Sequence, residues 1–154
     1  MVHRTVVLLA LALLPGTLWA QSASSVNDLE ETLGSCAAQP GQDTCAFTLS
    51  VLAQTDGTPV YLIAGKAEGQ GNPPHYKETD RVSLPVLAPD YFLSTSCKTP
   101  GQPYDDTTLI AAVRFPDGST ETSSDVSYAW RLDTKTGKLN QEPRSKVSCS
   151  YEGP

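Results

Sequence analysis

The fold class of this chain is decided by the stretch VSYAWRL at residues 126–132. Its larger apolar side chains, Val126, Tyr128, Trp130 and Leu132, occupy every second position. A repeat of two is that of a β-strand with one buried face, whereas an amphipathic helix repeats every three or four residues. Residues 133–138 follow as a hairpin loop in which Gly137 is expected to adopt a positive φ. The stretch therefore predicts a half-buried strand that enters a tight turn.

Strand patterns of the same kind continue in both directions from this stretch. Six further runs are rich in β-branched and aromatic residues and are bounded by Gly, Pro or Asp turns. They are residues 47–51, 60–64, 81–87, 91–97, 109–115 and 146–151. Pro85 cannot donate a backbone hydrogen bond, so its run is predicted to be an edge strand or a bulge. Short connections without alternating helices favour antiparallel pairing.

A short helix is predicted before the strands, over residues 26–33. Ser25 can cap its start, and Gly34 can end it. Val26, Leu29 and Leu33 form one apolar stripe at helical spacing. We therefore expect an α+β or mainly β fold, in which a short N-terminal helix is followed by about seven antiparallel strands. A β-sandwich or a small barrel is the alternative architecture.

Residues 1–20 have the pattern of a cleaved signal peptide. His3 and Arg4 precede an apolar run over residues 6–14, and Ala20 offers a small residue at the cleavage point. The predicted exported product is a single globular domain of residues 21–154. No later apolar run approaches the roughly 20 residues that a spanning helix needs, so an integral membrane protein is not expected. The predicted location is the periplasm or the extracellular medium.

The four cysteines, Cys36, Cys45, Cys97 and Cys149, all follow the predicted signal peptide. An even number of cysteines in an oxidising compartment favours two disulfide bonds. Three pairings are possible, and we favour Cys36–Cys45, which flank a turn-rich segment, together with Cys97–Cys149, which would join the ends of two strands. Zinc binding is disfavoured because the chain has no Cys-x-x-Cys spacing.

The charge balance restricts the class of partner. The chain has 17 acidic and 11 basic residues and a formal net charge of −6. Such a chain repels phosphate backbones, so nucleic acid is not an expected partner. A basic protein is favoured, because opposite net charge speeds the encounter of two proteins.

No motif in the sequence indicates catalysis or a cofactor. His75 is the one histidine after the predicted signal peptide, and no serine lies in a Gly-x-Ser-x-Gly elbow. Asp105 and Asp106 are adjacent, but neighbouring carboxylates in a loop usually serve solvation or turn capping. Calcium-loop and phosphate-loop spacings are absent from the sequence. We predict no catalytic residue, no metal and no cofactor.

Tyrosines beside prolines are the feature that favours binding. His75 and Tyr76 follow a Pro-Pro pair, and Tyr104, Asp105 and Asp106 follow Pro103. Tyrosine offers a large contact area at low entropic cost, and a nearby proline stiffens the loop that carries it. These five residues form the predicted binding site.

The leading functional hypothesis is an exported, periplasmic, non-enzymatic binding protein. It would act as a proteinaceous inhibitor or immunity-type protein that neutralises a basic enzyme or toxin. One alternative is a small secreted hydrolase that uses His75 or paired carboxylates. Another is a structural or assembly component of the cell envelope, with the segment around Pro85 as an edge strand that adds to another sheet.

Overall fold

The computed structural model describes residues 28–38, 44–69, 74–116 and 121–151. The predicted signal peptide and the start of the predicted helix, Val26, lie outside the described residues. The described part is mainly β. Its strands are β1 (Glu30–Ala38), β2 (Cys45–Ala53), β3 (Pro59–Glu68), β4 (His75–Ser83), β5 (Phe92–Ser94), β6 (Cys97–Lys98), β7 (Leu109–Val113), β8 (Thr122–Ser123), β9 (Val126–Asp133), β10 (Lys138–Glu142) and β11 (Ser148–Ser150).

These strands form three antiparallel sheets. The first sheet has the order β1-β2-β3-β4, so each strand pairs with its neighbour in the chain. The second has the order β10-β9-β7-β5, and the third, smaller one has the order β6-β11-β8. A short 3₁₀ helix, Arg144–Lys146, links β10 to β11.

The core lies on both faces of the second sheet. On one face, Ile110 of β7 and Leu132 of β9 pack with Leu49 and Leu62 of the first sheet. On the other face, Leu109 of β7 and its neighbours pack with residues of the third sheet, including the buried disulfide cysteines. Strand β7 is buried over its whole length, because alternate side chains enter the two different clusters. The second sheet is therefore the middle layer.

The predicted N-terminal helix is not observed in the described residues. Its second half, from Glu30 to Leu33, belongs to β1, which pairs with β2 from Glu30 opposite Ala53 to Ala38 opposite Cys45. Burial in β1 alternates toward its end, where Ala37 enters the core. Tertiary pairing outweighs the helical spacing here, because a short isolated helix is marginal and a paired strand satisfies its backbone along one edge.

The strand count and several boundaries also differ from the prediction. Strand β4 begins at His75 and ends at Ser83, so Pro85 lies beyond the strand. The predicted run over residues 91–97 is divided into β5 and the start of β6. Strand β10 was not predicted, since only Leu139 of its five residues is apolar and buried.

The turn and disulfide predictions are confirmed. Gly137 has a φ of 71° in the β9–β10 hairpin. The disulfides are Cys36–Cys45 and Cys97–Cys149, and together they indicate an oxidising, extracytoplasmic environment. In the described part of the chain, no helix has the length and apolarity needed to span a membrane.

Candidate functional site

The loop between β6 and β7 carries the most exposed aromatic side chain of the described residues. Tyr104 is 82% exposed, compared with 46% for Tyr151 and 42% for Phe92. Pro103 and Asp105 on either side of it are exposed as well. We call residues 99–106 the Tyr104 loop. Its tip therefore presents an aromatic ring and a carboxylate to solvent.

A side-chain clamp holds the first half of the Tyr104 loop. The amide oxygen of Gln102 accepts hydrogen bonds from the backbone N–H of Thr99 (3.0 Å) and from its hydroxyl (2.9 Å). Between them Gly101 has a φ of 88°, which a residue with a Cβ rarely adopts. The amide nitrogen of Gln102 donates to Asp106 Oδ2 at 3.1 Å. One glutamine thus connects both ends of the loop.

Asp106 anchors the second half of the Tyr104 loop. Its Oδ1 accepts from the backbone N–H of Thr108 (2.9 Å) and from the Thr108 hydroxyl (2.6 Å). Its Oδ2 forms an ion pair with Arg131 of β9. Burial alone would raise the pKa of Asp106, but hydrogen bonds from Thr108, Gln102 and Arg131 outweigh it and lower the pKa to about 2.

Arg131 is shared between two carboxylates. Besides its contact with Asp106, its Nε donates to Glu142 of β10 at 2.9 Å. The side chains of Asp106 and Glu142 are 11% and 20% exposed, so this network is shielded from solvent. Because each carboxylate already has a cationic partner, the network fixes the loop to β9 and β10.

The base of the loop is joined to the rest of the fold at two further points. The backbone N–H of Asp106 donates to the carbonyl of Cys97 at 2.7 Å, next to the buried Cys97–Cys149 disulfide. The Ser35 hydroxyl of β1 donates to the carbonyl of Thr107 at 2.9 Å. The loop is therefore held by elements of all three sheets.

His75 and Tyr76 lie elsewhere in the fold. The sequence suggested a loop, but both residues begin strand β4. The Tyr76 hydroxyl donates to the carbonyl of Cys45 at 3.3 Å. Strands β4 and β1 are opposite edges of the first sheet, and Thr107, directly after the Tyr104 loop, contacts β1. The five predicted binding residues therefore form two separate groups. Tyr104, Asp105 and Asp106 are brought together, and His75 and Tyr76 form the second group.

An aromatic cluster that the sequence did not predict lies at the start of β5. Phe92 and Phe115 stack with ring centroids 5.6 Å apart, and Tyr151 meets Phe115 edge-on at 5.3 Å. The alternation of residues 109–115 predicted that Phe115 shares a face with Val113. No local pattern predicted its contacts with residues distant in the chain.

A polar network lies on the segment that precedes β5. The Tyr91 hydroxyl donates to Asp125 at 2.6 Å, and Arg114 donates to the same carboxylate at 2.8 and 2.6 Å. The hydrogen bond to Asp125 raises the pKa of Tyr91. The Tyr91 and Arg114 bonds together lower the pKa of Asp125. Asp125 therefore keeps its charge and has it matched by Arg114.

Comparisons with known proteins give no indication of function. No known protein family, curated protein or solved structure matches this chain. Within the described ranges, no group of three or more His, Cys, Asp or Glu side chains is placed to hold a metal ion. The arrangement at the Tyr104 loop is one of exposed contact groups on a braced support.

Proposed function

We propose that this protein is an exported, non-enzymatic binding protein that uses the Tyr104 loop to recognise and neutralise a basic enzyme or toxin in the periplasm. The single observation that carries the proposal is the contrast within the loop. Tyr104 is 82% exposed. The largely buried carboxylate of Asp106, at the base of the loop, accepts hydrogen bonds from Thr108, Gln102 and Arg131.

The support given to the loop lowers the cost of binding. A flexible loop loses conformational entropy when a partner orders it, at about 0.5–1.5 kcal/mol for each immobilised side chain. The Gln102 clamp and the Asp106 anchor hold the backbone before any partner arrives. Exposed tyrosine on a rigid support is typical of residues that dominate the energy of protein interfaces.

Charge supports a basic partner. The chain has a net charge of −6, and Asp105 is exposed beside Tyr104. Asp106 is engaged with Arg131, so Asp105 is the carboxylate of the pair that can face a partner. Asp105 is therefore assigned to contact and Asp106 to positioning of the loop.

The experiment compares three immobilised proteins against the extracytoplasmic fraction of the producing organism. They are the wild type, Tyr104→Ala, and Val86→Ala, which removes an 87% exposed side chain outside the loop. We expect a basic protein to be retained near equal stoichiometry by the wild type and Val86→Ala columns. The Tyr104→Ala column should lose it.

Two results would contradict the proposal. One is that no protein is retained by the wild type at either low or physiological salt. The other is that Tyr104→Ala retains the same protein as well as the wild type does. Turnover of a substrate that His75→Ala abolishes, without a change in folding, would favour the hydrolase alternative instead.

A further inference from the structure

Arg144 is the exception among the described arginines. Arg81 pairs with Glu78, Arg114 with Asp125, and Arg131 with both Asp106 and Glu142. Arg144, by contrast, is exposed and has no carboxylate within ion-pair distance among residues 28–38, 44–69, 74–116 and 121–151. Its guanidinium is therefore open to solvent without an ion pair to any of these residues, and its charge acts on the nearby Tyr91 hydroxyl.

This arginine lines an open cleft. The cleft is shallow and open to solvent, with a volume of about 480 Å³. Its lining combines hydroxyl groups with a small apolar wall and is formed by Ala88, Tyr91, Ser124, Asp125, Val126, Ser127, Arg144 and Ser145. We call it the Arg144 cleft.

Two adjoining clefts extend this surface. One of about 330 Å³ shares Ser127 and Arg144 with the Arg144 cleft. Another of about 180 Å³ shares Ser124 and Ser145 with it, and its lining adds Lys98, Lys146 and residues 99–102. The three clefts therefore adjoin through shared serines and Arg144, and we call them together the groove.

The acidic groups of the groove already have partners. Asp125 accepts hydrogen bonds from Arg114 and Tyr91, and Glu142 accepts one from Arg131. Asp125 has its charge matched by Arg114, whereas Glu142 shares Arg131 with Asp106. Neither Asp125 nor Glu142 forms an ion pair with Arg144, so the hydrogen-bond donors of its guanidinium are available to a ligand.

The backbone around Arg144 is held in place. Pro143 fixes φ at −59° before the 3₁₀ helix, and its carbonyl accepts the N–H of Lys146 at 2.9 Å. The carbonyl of Arg144 accepts the N–H of Val147 at 3.2 Å, and Val147 is buried in the core. The guanidinium therefore projects from a fixed backbone.

We propose that the Arg144 cleft binds a small hydroxylated carboxylate, of the class represented by a uronic acid. A guanidinium matches the two oxygens of a carboxylate in a bidentate pair, which is stronger and more specific than a neutral hydrogen bond. Ser124, Ser127 and Ser145 offer hydroxyls that both donate and accept, as the hydroxyls of such a ligand require. The Arg144 cleft itself contains no residue of the Tyr104 loop, although the adjoining cleft of about 180 Å³ is lined in part by residues 99–102 of that loop.

The test is a titration of the isotope-labelled wild-type protein followed by its backbone amide signals in NMR. The probes are D-glucuronate, neutral D-glucose and acetate. We expect glucuronate to give saturable shifts at Ser127, Arg144 and Ser145. Glucose lacks the carboxylate and acetate lacks the hydroxyls, so each should bind about tenfold more weakly or worse.

Two variants assign the effect to the arginine. Arg144→Gln should weaken glucuronate binding by about tenfold or more, because it removes the bidentate charged contact. Lys135→Gln removes one positive charge from the exposed β9–β10 turn and should leave binding unchanged. Both substituted side chains are exposed, so the fold is expected to persist and the amide spectrum reports whether it does.

The proposal is overturned by any of three results. They are the absence of saturable shifts with glucuronate, equal binding of glucuronate and glucose, or equal glucuronate binding by the wild type and Arg144→Gln. Equal binding of acetate and glucuronate would refute the part of the proposal that assigns the serine hydroxyls to the ligand.

Discussion

Asp106 and Arg131 form an ion pair that ties the Tyr104 loop to strand β9. The two residues are 25 positions apart, and the side chain of Asp106 is only 11% exposed. The loop that presents the most exposed aromatic ring of the described residues thus rests on one of the least exposed charged contacts. Asp106 therefore supports the loop, while Tyr104, two positions before it, is exposed at the tip.

The first prediction separates affinity from stability at the loop tip. Tyr104→Ala should reduce affinity for the protein partner by about tenfold or more, since an exposed interface tyrosine is a common source of binding energy. The free energy of unfolding should change by less than about 0.5 kcal/mol, because the side chain is 82% exposed. Calorimetric binding and urea unfolding measure the two quantities, with Val86→Ala as control. A large loss of stability would contradict the assignment.

The second prediction concerns acid stability. The folded-state pKa of Asp106 is about 2, below its ordinary value of 3.8, so the unfolded chain takes up the proton first as the pH falls. The resulting stabilisation, about 2 kcal/mol, is fully present above pH 5 and is lost as the pH falls through 4 toward 2. Urea unfolding at a series of pH values measures it.

The matched variants for acid stability are Asp106→Asn and Asp105→Asn. Asp106→Asn should be less stable than the wild type at pH 7 and should show a flatter acid dependence. Asp105→Asn, which alters an exposed carboxylate, should follow the wild-type curve. Identical curves for the wild type and Asp106→Asn would refute the anchoring role of Asp106.

The third prediction concerns the order in which the disulfides are reduced. Cys36 is exposed, whereas Cys97 and Cys149 are 0% and 1% exposed. Exchange requires a thiolate to reach the sulfur, so mild reduction of the native protein should open Cys36–Cys45 first. Alkylation followed by mass spectrometry identifies the freed thiols. Release of Cys97 and Cys149 first would contradict the observed burial.

The fourth prediction compares two glycines with positive φ. A Cβ at Gly137 would lie 3.0 Å from the Cβ of Thr79, whereas a Cβ at Gly57 would have no neighbour within 4 Å. Gly57→Ala should cost about 1–2 kcal/mol for the left-handed conformation alone. Gly137→Ala should cost about 1–3 kcal/mol more, because it also crowds Thr79. Equal costs in thermal unfolding would show that this contact relaxes freely.

The sequence predicted the features that local pattern controls. The alternation over residues 126–132 gave strand β9, and the spacing of the cysteines gave both disulfides. The sequence pattern was wrong for β1. Leu29 and Leu33 have helical spacing, but pairing with β2 decides the conformation. It also missed β10, whose mostly polar residues form a strand because β9 and the turn at Gly137 place them there.

The candidate site was predicted only in part for a similar reason. Tyr104 and Asp105 are exposed as proline-stiffened loop residues should be. The contact of Asp106 with Arg131 depends on the register between β7 and β9, in which Leu109 lies opposite Arg131. That register is set by packing across the middle sheet, which the local sequence does not reveal. The absence of an ion pair at Arg144 among the described residues also depends on the three-dimensional arrangement, which the local sequence does not reveal.

The consecutive order of the first sheet affects how the correct cysteines find each other. Strands β1 to β4 pair only with neighbours along the chain, and the Cys36–Cys45 bond spans 9 positions. A short loop costs less conformational entropy to close than a long one, so this bond is expected to form first in the oxidising compartment. Cys97 pairs with Cys149, 52 positions later. Once Cys36 and Cys45 are bonded to each other, neither can form an incorrect bond with Cys97. Early local oxidation thus acts as a safeguard against scrambled bridges.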